Sequence, residues 1–443
     1  MFPCLPRGNP HSSAMRSVQP HGHTRPMRPA TPPPADTPNP EKLPDTALRH
    51  ALVLSLGAAL SLGITRFAYG LLLPPMRDDL GWTYALAGAL NTSNAAGYLL
   101  GALLTPVLLR GASPGRVMLW GALAASMLMA ISGFFTDSTV WLVQRLAAGA
   151  ASALVFITGG LLAARLGAAH PEHAGWLIGL YYGGTGLGIS LSALAVPAAM
   201  AVAAGMAHAW AAAWAVLAIL CFAGAAALRW VVLRLETPAL AAGVDVSTAA
   251  VDGTAPQLRL RRFGFALAGY GMFGVGYIGY MTFIVALLHE QGLPPWGITG
   301  FYAALGLAVM TSPRLWAGLL DRHRDGRPLA LLNALLGAAT LAPALSAAWP
   351  VVLVSGLLFG AVFLSVVAST TAWVRHNLPP GQWARGIGAF TIVFAAGQIV
   401  GPTVVGWIAD GPGGLERGFV VSALALWLGA ALALRQHALT PAG

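Results

Sequence analysis

From Leu48 onward the chain is a succession of apolar segments, each of bilayer-spanning length and each closed by a short polar or Gly/Pro-rich break. A helix crossing the ~30 Å hydrocarbon layer needs roughly 20 mainly apolar residues. Inside that layer every backbone N–H and C=O must find a partner within the protein. Together these demands select an all-α integral membrane protein. Periodicity and punctuation place twelve transmembrane helices near 48–74, 84–109, 116–136, 139–165, 175–200, 209–233, 263–289, 296–320, 328–348, 350–374, 385–409 and 415–436. The composition agrees, with 56% of residues hydrophobic and 9% charged, where a soluble chain carries about a quarter charged residues. A soluble enzyme and a single-span receptor are excluded.

Residues 1–46 read differently: they are rich in Pro, His, Ser and Thr, and Pro32, Pro33 and Pro34 forbid a helix. This stretch is expected to be a disordered cytoplasmic tail. It holds no apolar run of the kind a signal peptide needs, and Met15 and Met27 offer alternative starts. The longest internal polar stretch, 234–262, divides the rest into a first six-helix bundle at 47–233 and a second at 263–443. It is expected to be a cytoplasmic central loop.

The net charge of +10 would suggest nucleic acid in a soluble protein, but here its placement suggests orientation. Alternate loops hold Arg110, Arg116, Arg165, Arg229, Arg234, Arg259, Arg261, Arg262, Arg322, Arg324, Arg327, Arg375 and Arg385, whereas the intervening loops hold Arg77 and Arg417. Basic residues collect on the cytoplasmic side. The expectation is an even helix count in the cell membrane, the inner membrane in a bacterium, with both termini cytoplasmic and no nucleic-acid partner.

The halves echo one another. Arg66-Phe67-Ala68-Tyr69, ending at Gly81, has the spacing of Tyr277-Ile278-Gly279-Tyr280, ending at Gly292; Thr105-Pro106 and Ser312-Pro313 close the second helix of each half. Repeats of this kind are a transporter trait, with the solute site between them near the midplane. Gly318-Leu319-Leu320-Asp321-Arg322, then Gly326-Arg327, resembles the loop signature of the major facilitator superfamily, with altered spacing. In the first half Gly101, Arg110, Gly115 and Arg116 match it without the aspartate. Arg145 with Gly149 resembles the family's Arg-x-x-x-Gly element. Ile64 to Tyr69 with Leu73-Pro74, and Gly97 to Gly101, are similar to its YbfB/YjiJ-type group. The resemblance covers 48–436 and implies the twelve-helix, two-bundle fold, alternating access and a monomer. It assigns conformational gating to Asp321, Arg322, Arg327 and Arg116.

Charge within the bilayer costs several kcal/mol, so intramembrane charges are the sharpest pointers to a site. None of the 15 Asp and Glu residues falls mid-helix, whereas Arg66 and Arg145 do. Arg66 either faces the central cavity and holds an anion by its fork of donors or anchors at the headgroups. Arg145 carries the same two alternatives. Asn91 and Asn94, in a polar turn with Thr92 and Ser93, must face protein or water, as interhelical ties or as cavity lining. Tyr69, Tyr181, Tyr277 and Tyr280 suit a cavity wall or an interfacial belt, and Gln398 either lines the cavity or bonds to a neighbouring helix. These nine side chains are the candidate solute site.

Cys4 and Cys221 make neither a disulfide framework nor a metal cluster, and no metal or cofactor is expected. Gly269 to Gly274 spells a dinucleotide fingerprint, but within a helix it lacks the strand-to-helix turn on which that motif depends. No nucleotide-binding loop exists to couple ATP. The leading function is secondary transport of a small organic solute, anionic or neutral, with proton coupling open. The alternatives are a drug or metabolite exporter and, further off, a non-transporting membrane sensor.

Overall fold

The computed structural model of the chain describes residues 44–235, 260–379 and 382–439. The disorder expected of the tail and the layout expected of the central loop fall on residues 1–43 and 236–259, outside the described residues. Among the described residues twelve long helices follow in order. The first six are α1 (Asp45–Leu80), α2 (Tyr84–Leu108), α3 (Pro114–Ile131), α4 (Ser138–Ala168), α5 (Ala174–Val202) and α6 (Ala209–Leu235). The second six are α7 (Gly264–Glu290), α8 (Pro295–Arg322), α9 (Arg327–Leu345), α10 (Trp349–Asn377), α11 (Trp383–Ala409) and α12 (Gly414–Leu434). Within each set of six the loops are short, so neighbours in sequence run antiparallel. The arginine-bearing loops therefore gather at one end of the molecule, called here the arginine-rich end.

Two elements depart from the expected pattern. Expected to close at Pro74, α1 instead runs through Pro74 and Pro75 to Leu80. A proline removes one helical hydrogen bond without forbidding the helix on either side when neighbouring helices support it. The true stop is Gly81, whose φ of +66° supplies a left-handed cap and lets Trp82 N–H bond Arg77 O at 3.1 Å.

The second departure is α2. Eleven of the helices are long and apolar enough to cross a membrane; α2 has the length, but Asn91-Thr92-Ser93-Asn94 dilutes its hydropathy. That dilution is tolerated because α2 is wedged between α4 of its own bundle and α11 of the other, and all four polar side chains bond to protein.

Glycine makes that wedge possible. A Cβ on Gly97 would lie 1.8 Å from Leu146 O, and one on Gly149 would lie 2.0 Å from Asn94 O, so α2 and α4 touch backbone to backbone. Gly149→Ala is expected to cost about 1–3 kcal/mol through overpacking, read as a lower melting temperature of the purified protein in detergent. An unchanged value would mean that the two backbones are not in contact there.

Candidate functional site

The site begins with an irregularity in α1. Residues Ala59–Phe67 form a π-helical stretch, a widened geometry found mostly where function asks for it. Thr65 Oγ1 bonds back to Leu60 O at 2.7 Å. Where the stretch reverts to α-helix, Leu71 N–H bonds Ala68 O at 3.0 Å, three residues back, and Phe67 O loses its usual partner. Tyr302 OH of α8 supplies one at 2.8 Å, from the opposite bundle. On the other side Arg145 Nη1 donates to Thr65 O at 3.0 Å and Ser152 Oγ to Ser61 O at 2.9 Å, both from α4. The widened turn is thus held on two sides, and it carries Arg66.

Arg66 is 4% exposed, at the seam between the bundles. Its Nη2 donates to Gln398 Oε1 on α11, and Tyr277 OH on α7 donates to the same oxygen. The guanidinium carbon also lies 5.7 Å from the ring centre of Tyr98 and 5.8 Å from that of Phe67. Its Nε has no hydrogen-bond partner, and no carboxylate pairs with it among the described residues. The described Asp and Glu residues stand at helix ends and loops. A buried cation whose charge meets only a neutral amide and aromatic faces is incomplete as a structural ion. Bound against an anion, it would be complete.

Aromatic rings flank this point from both bundles. On the second, Tyr270, Phe273, Tyr277, Phe363 and Phe394 stack at centroid distances such as 4.7 Å for Phe273–Tyr277 and 5.2 Å for Tyr277–Phe363. On the first, Tyr98, Phe156 and Tyr182 are half-buried, with the Phe156 ring beside those of both tyrosines. Away from this seam, a cleft at the arginine-rich end of the second bundle, lined by Leu320, His323, Asp325 and Trp373, has room for about one water molecule. It is too small for a solute.

The structure brings three of the nine candidates together, Arg66, Tyr277 and Gln398. Arg145 touches the site only through Thr65 and the ring of Tyr69, 4.8 Å away; it is 0% exposed, and its Nε and Nη2 lack partners. Asn91 ties the bundles through Thr282 Oγ1 at 2.5 Å, and Asn94 bonds Arg145 O at 3.1 Å. Tyr69 OH is occupied by Ala87 O, Tyr181 OH by Phe156 O and Tyr280 OH by Ser355 Oγ. Each of the three rings is buried within one bundle's packing. Sequence reasoning had passed over Tyr98, although Asn91, Asn94 and Tyr98 share one helical face at spacings of three and four. Thr282, Phe363 and Phe394 carried no comparable signal.

The chain matches, over residues 58–434, a family model described as the uncharacterised MFS-type transporter YbfB. It belongs to that family of the major facilitator superfamily. Solved structures similar to this MFS chain include a bacterial homologue of the human lysosomal transporter Spinster in an inward-facing, unoccupied conformation (14% identity, 90% of this chain and 100% of that one, TM-score 0.65). The nucleoside transporter NupG is similar too (16%, 88% and 98%, TM-score 0.64), as is a tetrameric PepTSo2 (16%, 88% and 95%, TM-score 0.63). At these identities the likeness establishes the fold. No curated protein matches the chain. The family is one of transporters, not enzymes.

In this MFS chain the bundles are closed at the arginine-poor end. A Cβ on Gly88 would lie 2.2 Å from Pro402 O, and one on Gly406 would lie 2.2 Å from Tyr84 O. Asp410, at the end of α11, accepts the N–H groups of Tyr84 and Ala85 at 2.7 and 2.8 Å, capping α2 from the opposite bundle. Tyr84 OH donates to Glu290 Oε1 of α7, and the Arg77 guanidinium lies 4.0 Å from the Tyr84 ring centre.

Toward the other end the contact loosens. On α5 a Cβ would meet Gly306 O at 2.2 Å from Gly186, Met310 O at 3.5 Å from Gly183 and nothing from Gly179. Beside Gly388 of α11 there is likewise open space. There Arg314 still reaches across, 5.3 Å from the Trp176 ring centre.

The signature residues lie at that looser end. Arg327 Nε pairs with Asp325 at 3.3 Å rather than with Asp321. Asp321 and Arg322 are exposed, and Arg116 Nε bonds Ser113 Oγ at 3.3 Å. In this conformation these four do not tie one bundle to the other. That work is done by Asp410, Glu290 and Tyr84, which the loop signature does not include.

Proposed function

We propose that the protein carries a small organic anion across the membrane by alternating access, with Arg66 as the cation that holds it. One observation supports this above the rest: Arg66 is buried between the bundles and has no acidic partner among the described residues. A buried charge with only neutral partners is expensive, and a carboxylate or phosphate binding bidentately would offset that cost. The same absence of acid weighs against a hydrophobic-cation exporter. The arginine-rich end is the cytoplasmic one by the distribution of basic loops, and the start of α1 and the end of α12 lie on that side. The end closed in this conformation is then the outer one. With every described acid at a helix end or in a loop, a proton that accompanies the solute would ride on Glu290, on a histidine or on the solute itself.

The test is a thermal-shift screen of the purified protein against anionic, neutral and cationic metabolites, repeated on Arg66→Ala. A ligand that binds only the folded state raises the melting temperature by mass action, the equivalent of about 2.7 kcal/mol at 100 times Kd. Organic anions should stabilise the parent and leave Arg66→Ala unmoved. Stabilisation of both by neutral or cationic compounds would make Arg66 structural and favour the exporter.

A further inference from the structure

We infer that Gln398 is a built-in stand-in for the solute: in this conformation its Oε1 occupies the position that an anionic oxygen of the cargo takes when bound. The inference rests on the anion reading above and adds a residue that sets affinity by competing for the site.

One oxygen of the second bundle accepts from two donors, Arg66 Nη2 and Tyr277 OH. That is the coordination of a carboxylate oxygen, met here by a neutral amide. The guanidinium identifies Oε1, since it can only donate, and Tyr277 OH then donates to the same oxygen. Gln398 is 3% exposed, and its own helix holds it in place. A Cβ on Gly397 would lie 2.5 Å from Gly271 O, one on Gly401 would lie 2.5 Å from Val275 O, and one on Gly274 would lie 2.6 Å from Phe394 O. At these glycines α7 and α11 are in backbone contact, so Tyr277 and Gln398 move as one body. Arg66 rides on α1 of the other bundle. The bond from Arg66 to Gln398 is therefore a contact between bundles, and one that a solute must break to reach the guanidinium.

Two consequences follow from charge. An anionic oxygen outcompetes the amide oxygen for Arg66, because it adds the attraction between two full charges and, as part of a carboxylate or phosphate, engages the guanidinium bidentately. A neutral solute offers no such advantage, so the stand-in also filters for charge. Removing the stand-in lowers the cost of binding, since part of each solute's affinity is spent displacing it. Making the stand-in anionic supplies the missing counter-ion permanently and closes the site to solute.

The experiment compares Gln398→Ala and Gln398→Glu with the parent and Arg66→Ala, using acetate, benzoate and succinate as probes and melting temperature as the readout. Gln398→Ala should reach half its carboxylate-induced shift at about tenfold lower concentration than the parent. Gln398→Glu should melt higher without ligand and show no carboxylate response. A Gln398→Ala protein that loses the response as Arg66→Ala does would overturn the inference and make Gln398 a solute ligand or a support. A Gln398→Glu protein that responds like the parent would overturn it too. A parent blind to all three probes removes their support for the anion site, and a second arm then decides without any ligand. Spin labels at Leu103 and Ile387, on the exposed arginine-rich halves of α2 and α11, report the opening at that end. Gln398→Glu should populate the present conformation more than the parent and Gln398→Ala less; identical distance distributions in the three would refute the stand-in.

Discussion

Arg66→Lys is expected to reduce uptake of the transported anion by about 30- to 100-fold, although the charge is kept. Lysine is a point charge with no planar fork, so it cannot hold two oxygens of a carboxylate at once while facing Tyr98 and Phe67. The loss of one charge-assisted hydrogen bond, about 2–2.8 kcal/mol, converts to that factor. In the conformation described, the shorter donor set also leaves Gln398 Oε1 with a weaker partner, so the two bundles lose part of their tie. The measurement is uptake into proteoliposomes of whichever anion gives the largest thermal shift, with the melting temperature of the variant as a control for folding. Uptake within twofold of the parent would remove Arg66 from the solute path.

Asp410→Ala is expected to shift the conformational balance about tenfold toward opening at the arginine-poor end. The carboxylate accepts two backbone N–H groups at the start of α2, where the helix dipole favours negative charge. Its exposure tempers the gain, as for other solvent-facing charges, so roughly 1.4 kcal/mol is the expected size, a tenfold change. The change would be read with a cysteine at Thr403, half-buried beside Thr92 at 2.8 Å, and a membrane-impermeant thiol reagent. Labelling should be about tenfold faster with Asp410→Ala than without it. Equal rates would mean that the cap on α2 does not hold that end shut, leaving the close packing of Gly88 and Gly406 to do so.

Much of the fold was legible because a bilayer allows so few solutions. Apolar stretches and arginine-bearing loops give helix number and alternation with little reference to packing, and the matched glycine and proline spacings give the repeat. The errors came where tertiary support changes a local rule. Pro74 reads as a stop in isolation, yet α1 continues through it with α7 packed against that stretch. The polar turn at Asn91 to Asn94 reads equally as cavity or as tie; with partners on α4, α7 and α11, it is largely a tie.

The site was legible in part for the same reason. A charged side chain in an apolar segment stands out in any sequence, so Arg66 and Arg145 were visible from the start. Their roles were not, because both look alike along one strand of text, and only their surroundings separate them. One caps a carbonyl of a widened helical turn, and the other faces the opposite bundle. Tyr69, Tyr181 and Tyr280 likewise share a composition with Tyr277, and the partner of each hydroxyl is what distinguishes them.

By itself the sequence determined that this chain spans a membrane with twelve helices in two related halves and carries two arginines and no acid within them. Those properties follow from hydropathy and charge, which act residue by residue. Only the tertiary structure decided that Arg66 meets Tyr277 and Gln398, and that Asp410 caps a helix 326 positions away in sequence. Such pairings depend on how two bundles dock, and docking is set by backbone contact at glycines on separate helices, which no local pattern encodes.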